Sequence, residues 1–178
     1  QIELVNERRL KQRMTAGAPP LRLGATLSIA DYYLPKPLAG VLASGEAPRV
    51  CVGNTQTLTQ RMLEGELDCA LVEGPFDRAL FEAQVWRAAR FVAAARAGHP
   101  LAGKPCAMND LCACPLLVRE RGSGTRAVLE SALFGRGMDL SAFARTVELG
   151  SFGLTKAALT ATDAVTFLYE GVLADEDG

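Results

Sequence analysis

The sequence predicts an α/β fold with two lobes, each built on a mixed or largely parallel sheet with helices on both faces. Short apolar runs alternate with helical stretches along most of the chain. Runs such as Ala70-Leu71-Val72 are continuously apolar, which is typical of strands buried on both faces. The alternation occurs twice, without a recognisable sequence repeat, and this indicates two similar lobes.

The first half has a β-α-β-α-β order. Residues 1–14 are mostly polar with apolar side chains at a loose helical spacing, which predicts the tail of a longer helix. The segment Gly17-Ala18-Pro19-Pro20 ends that helix, because proline lacks an amide donor and restricts the residue before it. We then expect strands over 21–26, 49–53 and 68–73, and helices over 30–43 and 55–64.

The second half opens with two successive strands and a loop around His99-Pro100 before the alternation resumes. We expect strands over 81–86, 90–95, 115–119, 146–149 and 165–169, and helices over 123–134 and 151–161. The chain therefore divides into three segments: a helix remnant with its hinge over 1–19, a first lobe over 20–91 and a second lobe over 92–178.

Composition narrows the class of protein. The chain has 19 Lys and Arg against 20 Asp and Glu and a net charge of -1, without a basic stripe, so we do not expect this chain by itself to bind DNA. No apolar run approaches the roughly 18 residues of a membrane span, and the first residues are charged rather than signal-like. Five cysteines without a C-x-x-C pair fit a reducing compartment, so we expect a cytoplasmic protein.

The sequence contains no motif for catalysis or cofactor binding. It lacks G-x-S-x-G, H-E-x-x-H, the P-loop and G-x-G-x-x-G, and His99 is its one histidine. We expect neither an enzyme nor a bound metal or cofactor. His99 and Trp86 are interpreted as structural, and Cys51 and Cys69 as small residues of the core.

Candidate binding residues lie where strands end and helices begin, because helix starts present unpaired amides to a ligand. Small hydroxyl or amide side chains occupy four such junctions: Thr26 with Ser28, Asn54 with Thr55, Ser123 with Thr125, and Ser151. The same residue types are ordinary helix caps, so capping remains an alternative at each junction.

The segment from Arg119 to Arg126 has the composition most typical of a binding loop. Gly122 and Gly124 let the backbone approach a ligand, and Arg121 and Arg126, with Lys156 further along, can balance a negative charge. We therefore expect a small, anionic ligand, although an ordinary turn would also use these glycines.

Ordered segments along residues 21–178 carry a family likeness. They are Leu21-Arg22-Leu23-Gly24-Ala25-Thr26, Tyr33-Leu34-Pro35, Val52-Gly53-Asn54-Thr55, 63–68 with 70–74, His99-Pro100-Leu101-Ala102, 121–126, Glu148-Leu149-Gly150-Ser151 and Phe167-Leu168-Tyr169. In this order and spacing they resemble the effector-binding domain of LysR-type transcriptional regulators, particularly the branch concerned with sulfur and carbon assimilation.

The resemblance implies a fold like that of type 2 periplasmic binding proteins, with a small-molecule effector between the lobes and self-association as a dimer or tetramer. DNA would be bound through a winged helix-turn-helix that this sequence does not contain, and residues 1–19 would end the linker helix. The family likeness implies these effector contacts: Thr26, Leu27, Ser28, Ser123, Gly124, Thr125, Ser151 and Phe152. The junction and loop arguments add Asn54, Thr55, Arg121 and Gly122.

One departure from the family concerns the first lobe. Family members continue beyond the position of Gly178 with a returning strand and a helix that complete this lobe. We therefore expect an incomplete lobe with an open sheet edge, covered by another chain, a swapped segment or further residues.

Two other functions stay open. A solute-binding receptor of a transport system uses the same fold and would carry a secretion signal. A thiol-based redox sensor would use Cys106, Cys112 and Cys114, although no basic residue lies closer to them than Lys104 or Arg119.

Overall fold

The computed structural model describes residues 1–6 and 19–174. These residues form two compact units. The first consists of residues 1–6, 19–89 and Gly122–Gly124, and the second of Arg90–Arg121 and Thr125–Ala174. Each unit is built on one sheet.

The first unit contains a five-stranded mixed sheet. Its strands are β1 (Ile2–Asn6), β2 (Arg22–Ala25), β3 (Arg49–Val52), β4 (Cys69–Glu73) and β5 (Glu82–Arg87). The spatial order is β3-β2-β4-β1-β5, in which β2 pairs in parallel with β3 and β4. The predicted parallel β-α-β-α-β arrangement is thus confirmed, and β1 adds antiparallel pairs with β4 and β5.

Strand β1 corrects one expectation. The predicted helical tail over 1–14 is wrong for Ile2–Asn6, and 7–14 lies outside the described residues. Ile2 and Val5 are completely buried in the sheet, since β-branched side chains pack well on a pleated surface and tertiary burial outweighs a weak helical spacing. On the side away from β2, β4 pairs with β1 of this same chain; the expected incompleteness of the lobe stays a prediction.

The helices of the first unit are shorter than predicted. They are α1 (Leu27–Tyr32), α2 (Pro35–Ala43) and α3 (Thr55–Leu63). The single helix expected over 30–43 is wrong, because Pro35 has no amide donor and takes the first-turn position of a new helix.

Helix α3 packs tightly on the sheet. Leu58 and Met62 are completely buried against Ala70 and Val72 of β4. Gly24 in β2 permits this contact, because a Cβ there would lie 2.9 Å from Leu58 Cδ2. This packing fixes the start of α3 close to the end of β4.

The second unit contains a four-stranded sheet with helices on both faces. Its strands are β6 (Phe91–Ala95), β7 (Pro115–Val118), β8 (Arg145–Glu148) and β9 (Val165–Tyr169), in the order β6-β9-β7-β8. Its helices are α4 (Met108–Cys112), α5 (Gly124–Phe134) and α6 (Phe152–Ala161), with 3-10 turns at Leu140–Ala142 and Glu170–Val172.

The alternation of side chains along β7 shows how both faces of this sheet are covered. Leu116 packs in a cluster with Leu129 and Leu133 of α5, whereas Leu117 packs with Leu159 of α6. Strand β7 pairs in parallel with β8 and β9, as the sequence predicts, and β6 is antiparallel to β9. Helix α4 is not predicted from the sequence, since a stretch of five residues has too little periodicity to recognise.

Within residues 1–6 and 19–174, every helix is too short or too polar to cross a membrane.

Candidate functional site

A buried polar cluster lies in the first unit, where β2 and β4 end. Thr26, Ser28 and Glu73 are at most 3% exposed. The Thr26 hydroxyl donates to Glu73 Oε2, and the Ser28 hydroxyl donates to Glu73 Oε1. Both carboxylate oxygens of Glu73 therefore accept from side chains that the sequence singles out as binding residues.

The local fold explains how these side chains meet. Strands β2 and β4 are parallel, so their carboxyl ends lie at the same edge of the sheet. Thr26 follows β2 directly, and its amide donates to the carbonyl of Leu71 at 3.1 Å, which continues the pairing by one residue. Its hydroxyl makes no helix-capping hydrogen bond, because it is used by Glu73. Capping is thus not the role of Thr26.

The start of α3 joins this cluster through the backbone of Glu73. Thr55 is 4% exposed, and its hydroxyl donates to the carbonyl of Glu73 at 2.7 Å. Asn54 is an ordinary cap, since its Oδ1 accepts from the amide of Thr57 at 2.8 Å.

The Gly122–Gly124 segment, which belongs to the first unit by its contacts, packs directly on the end of β4. A Cβ on Gly124 would lie 2.1 Å from the Glu73 carbonyl oxygen. Gly74 has a φ of +85°, and a Cβ there would lie 2.9 Å from the Cα of Gly124. Gly122, with a φ of +86°, approaches Asn54. These glycines are required by close backbone approach and left-handed conformation.

In the second unit, Ser151 and Phe152 begin α6. Ser151 is the N-cap and its hydroxyl accepts from the amide of Leu154 at 3.4 Å. Phe152 is 3% exposed, and the guanidinium of Arg119 lies 4.5 Å from the centre of its ring. Arg119 also makes two hydrogen bonds to the carboxylate of Glu120, at 2.8 and 2.9 Å.

A protein-family model described as the LysR substrate binding domain matches residues 16–178. The chain belongs to this family. The HTH-type transcriptional regulator YeiE of Escherichia coli strain K12 is 30% identical over 158 residues, which cover 88% of this chain and 53% of YeiE. The HTH-type transcriptional regulator PcaQ of Agrobacterium fabrum is 30% identical over 172 residues, which cover 93% of this chain and 54% of PcaQ. This LysR domain thus spans about half the length of both relatives.

A solved structure of the same kind is the regulatory domain of CcmR from Synechocystis PCC6803, in complex with 2-PG. It superposes with a TM-score of 0.70 at 24% identity and covers 89% of this LysR domain and 76% of the CcmR chain. The likeness confirms the predicted α/β fold of the type 2 periplasmic-binding-protein kind.

The structure groups the predicted binding residues of the LysR domain by unit. Those around the end of β4 in the first unit are Thr26, Leu27, Ser28, Asn54, Thr55, Gly122, Ser123 and Gly124. Those in the second unit are Arg121, Thr125, Ser151 and Phe152. Ser123 and Thr125 are buried, at 5% and 2% exposure. Contact with a ligand stays a prediction for all of them.

Sequence reasoning missed Glu73, and it included Arg119 only as the first residue of the 119–126 segment, without a role of its own. Glu73 ends the buried apolar strand β4, and Arg119 follows the buried strand β7. A charged residue directly after a continuously apolar strand lies at the carboxyl edge of a parallel sheet, and that position is the signal for finding both.

The arginines expected to balance a ligand's charge differ in their surroundings. Arg126 binds Glu130 at 2.8 Å and Glu148 at 2.6 Å, so its charge is compensated within the second unit. Arg121 lines a surface cavity of about 530 Å³, together with Arg126 and Phe134.

The environment of the thiols disfavours thiolate chemistry at three cysteines. Burial raises the pKa of Cys69 to about 11. Burial also raises the pKa of Cys112, and burial together with Asp163 and Asp110 raises the pKa of Cys114. Since the thiolate is the reactive form, a raised pKa lowers the reactivity of these three thiols at neutral pH. Cys106 is exposed.

His99 lies inside its loop. It is 5% exposed, its Nδ1 accepts from the amide of Leu101 at 3.2 Å, and its Nε2 lies 3.9 Å from Cys114 Sγ. Among residues 1–6 and 19–174, no group of three or more His, Cys, Asp or Glu side chains is placed to hold a metal ion.

Proposed function

We propose that this LysR domain is the effector-sensing part of a transcriptional regulator and that it binds a small, negatively charged metabolite. The observation that carries the proposal is the buried polar cluster of Thr26, Ser28 and Glu73 at the carboxyl edge of the sheet. Buried polar side chains need partners, and such clusters at strand ends are the usual place for ligands in α/β proteins.

Further support comes from the relatives. YeiE and PcaQ are described as transcriptional regulators, and the CcmR regulatory domain is in complex with a small molecule. A negative charge on the ligand is supported by the exposed Arg121. More narrowly, we propose that the domain belongs to the branch of LysR-type regulators concerned with sulfur and carbon assimilation.

Regulation would follow from preferential binding. A ligand shifts a conformational equilibrium only by the difference in its affinity for the two states. We propose that ligand binding changes the arrangement of the two lobes, predicted at 20–91 and 92–178, and so re-aims a winged helix-turn-helix elsewhere in the full-length protein. Self-association as a dimer or tetramer and a cytoplasmic location belong to the same proposal, as does the lack of enzymatic activity.

Calorimetry against sulfate, sulfite, phosphate and small carboxylates tests the binding part. We expect at least one of these anions to bind, and Thr26→Val to weaken it tenfold or more, because the variant removes a buried hydroxyl from the cluster. The control is Thr59→Val, whose hydroxyl bonds only to carbonyls within α3 and is expected to leave affinity unchanged. If the domain binds none of these anions, the proposal that its ligand is negatively charged is refuted.

A transport receptor on the same fold is the second candidate from the sequence. The gene upstream of residue 1 separates the two: a winged helix-turn-helix supports the regulator, and a secretion signal or lipobox supports the receptor. The matched family favours the regulator.

A further inference from the structure

The buried carboxylate of Glu73 places a chemical condition on any ligand of this site. Glu73 is 2% exposed, so it contributes a carboxylate away from bulk water. Its oxygens accept from Thr26 and Ser28, the two hydroxyls to which the proposed function assigns ligand contacts. A ligand that reaches those hydroxyls therefore also meets Glu73.

An ionised carboxylate accepts hydrogen bonds and donates none. The two hydroxyls that point at its two oxygens favour the ionised form, whereas burial opposes it, and we take the two donors to prevail. An incoming oxygen without a proton can only repel this group, and the repulsion is strong where little water screens it. An incoming O–H or N–H instead gains a charge-assisted hydrogen bond.

The surrounding backbone fixes Glu73 in place. Its carbonyl accepts from Thr55, and Gly124 packs against that same carbonyl. Two other segments thus hold the Glu73 backbone, and the carboxylate itself is held by the hydroxyls of Thr26 and Ser28.

We propose that the effector of this domain carries a proton donor, such as a hydroxyl, an amine or an acid proton, that binds Glu73, and that fully deprotonated anions such as sulfate are excluded. This inference rests on the proposed function, since that function places the ligand at Thr26 and Ser28. It narrows the ligand class from anions in general to anions that also donate a hydrogen bond.

Two matched pairs of probes test the selection. Inorganic phosphate keeps at least one proton at neutral pH, whereas sulfate of the same shape keeps none. Glycolate carries a hydroxyl that acetate lacks. Calorimetry at constant pH and ionic strength should give at least about tenfold tighter binding of the donor-bearing member of a pair, since sites built around a hydrogen bond strongly reject analogues without it.

The variant Glu73→Gln tests whether the carboxylate causes the preference for ligands that donate a hydrogen bond. The variant removes the negative charge and supplies an amide that can donate as well as accept. Its affinity for sulfate should rise about tenfold or more and the phosphate-to-sulfate ratio should fall towards one. The matched control is Glu64→Gln, which loses the same charge at the far end of α3, where the carboxylate accepts from Gln60, and should keep the wild-type ratio.

Three outcomes would overturn the inference. Selection by Glu73 is refuted if the wild-type domain binds both members of each pair equally well. It is also refuted if Glu73→Gln keeps the wild-type phosphate-to-sulfate affinity ratio. Both results leave the effector-sensing function intact. Failure of the wild-type domain to bind any probe refutes both. If Glu73→Gln does not fold, as judged by circular dichroism, the wild-type ratios decide alone.

Discussion

Replacing Gly124 with alanine should destabilise the domain through one backbone contact. The added Cβ would lie 2.1 Å from the Glu73 carbonyl oxygen and 2.7 Å from Thr55 Oγ1, whereas contacts under 3.0 Å essentially never occur. The Glu73 carbonyl accepts from Thr55 and cannot rotate away, so the two segments must separate by about 1 Å.

The cost follows from overpacking. Forcing a methyl group into a filled space typically costs about 1–3 kcal/mol. In a chain of this size such a loss lowers the melting temperature by about 2–12 °C. Thermal unfolding followed by far-UV circular dichroism measures this, with urea titration as an independent check of the free energy of unfolding.

Gly40→Ala is the matched control. Gly40 lies inside α2 and a Cβ there has no atom within 4 Å. Because alanine loses less backbone entropy than glycine in a helix, this variant should gain about 0.5–1 kcal/mol. A Gly124→Ala variant that melts at or above the wild-type temperature, beside a Gly40→Ala variant that behaves as expected, would refute the packing argument.

The remaining predictions concern the core and the thiols. Leu58→Ala should lower the free energy of unfolding by about 2–5 kcal/mol in urea titration, because Leu58 is completely buried. The control Leu42→Ala, at a residue 54% exposed, should change the free energy of unfolding by less than about 0.5 kcal/mol. Equal effects of the two variants would contradict the assignment of Leu58 to the core. The pKa of Cys69, raised to about 11, means that the unfolded state loses its thiol proton first, so stability should fall as pH rises from about 9 towards 11. Cys69→Ala should lack this part of the fall, and superimposable pH profiles of the two proteins would count against it. At neutral pH a thiol reagent should modify the exposed Cys106 well before Cys69, as peptide mapping can establish.

The strand and helix alternation was predictable because it depends on local patterns. Strand β9 has the predicted bounds, and α3 and β7 end within one residue of them. The helix break at Pro35 was not predicted from the sequence, because the apolar spacing continues across it, although proline is a known signal for a new helix start. Strand β1 was not predictable in this way, since its burial comes from pairing with distant strands rather than from its own pattern.

The candidate site was predictable in part for the same reason. Thr26, Ser28 and Thr55 could be selected because strand ends and helix starts are visible in the sequence. The partner that joins them, Glu73, resembles any acidic residue at the end of a strand until the fold brings it to their hydroxyls. Local patterns identify junctions, and only the tertiary fold identifies which junctions meet.

The placement of β1 has a consequence for how the domain reaches its native state. Ile2 pairs with Glu73 on one side and with Arg87 on the other, so β5 joins the sheet only through a strand from the opposite end of the unit's sequence. Strand pairings between residues so far apart in the sequence form slowly, because the chain loses the entropy of closing a large loop before any stabilising contact forms. Refolding should therefore be limited by capture of this strand, and the chain is open to edge-to-edge aggregation until that capture occurs.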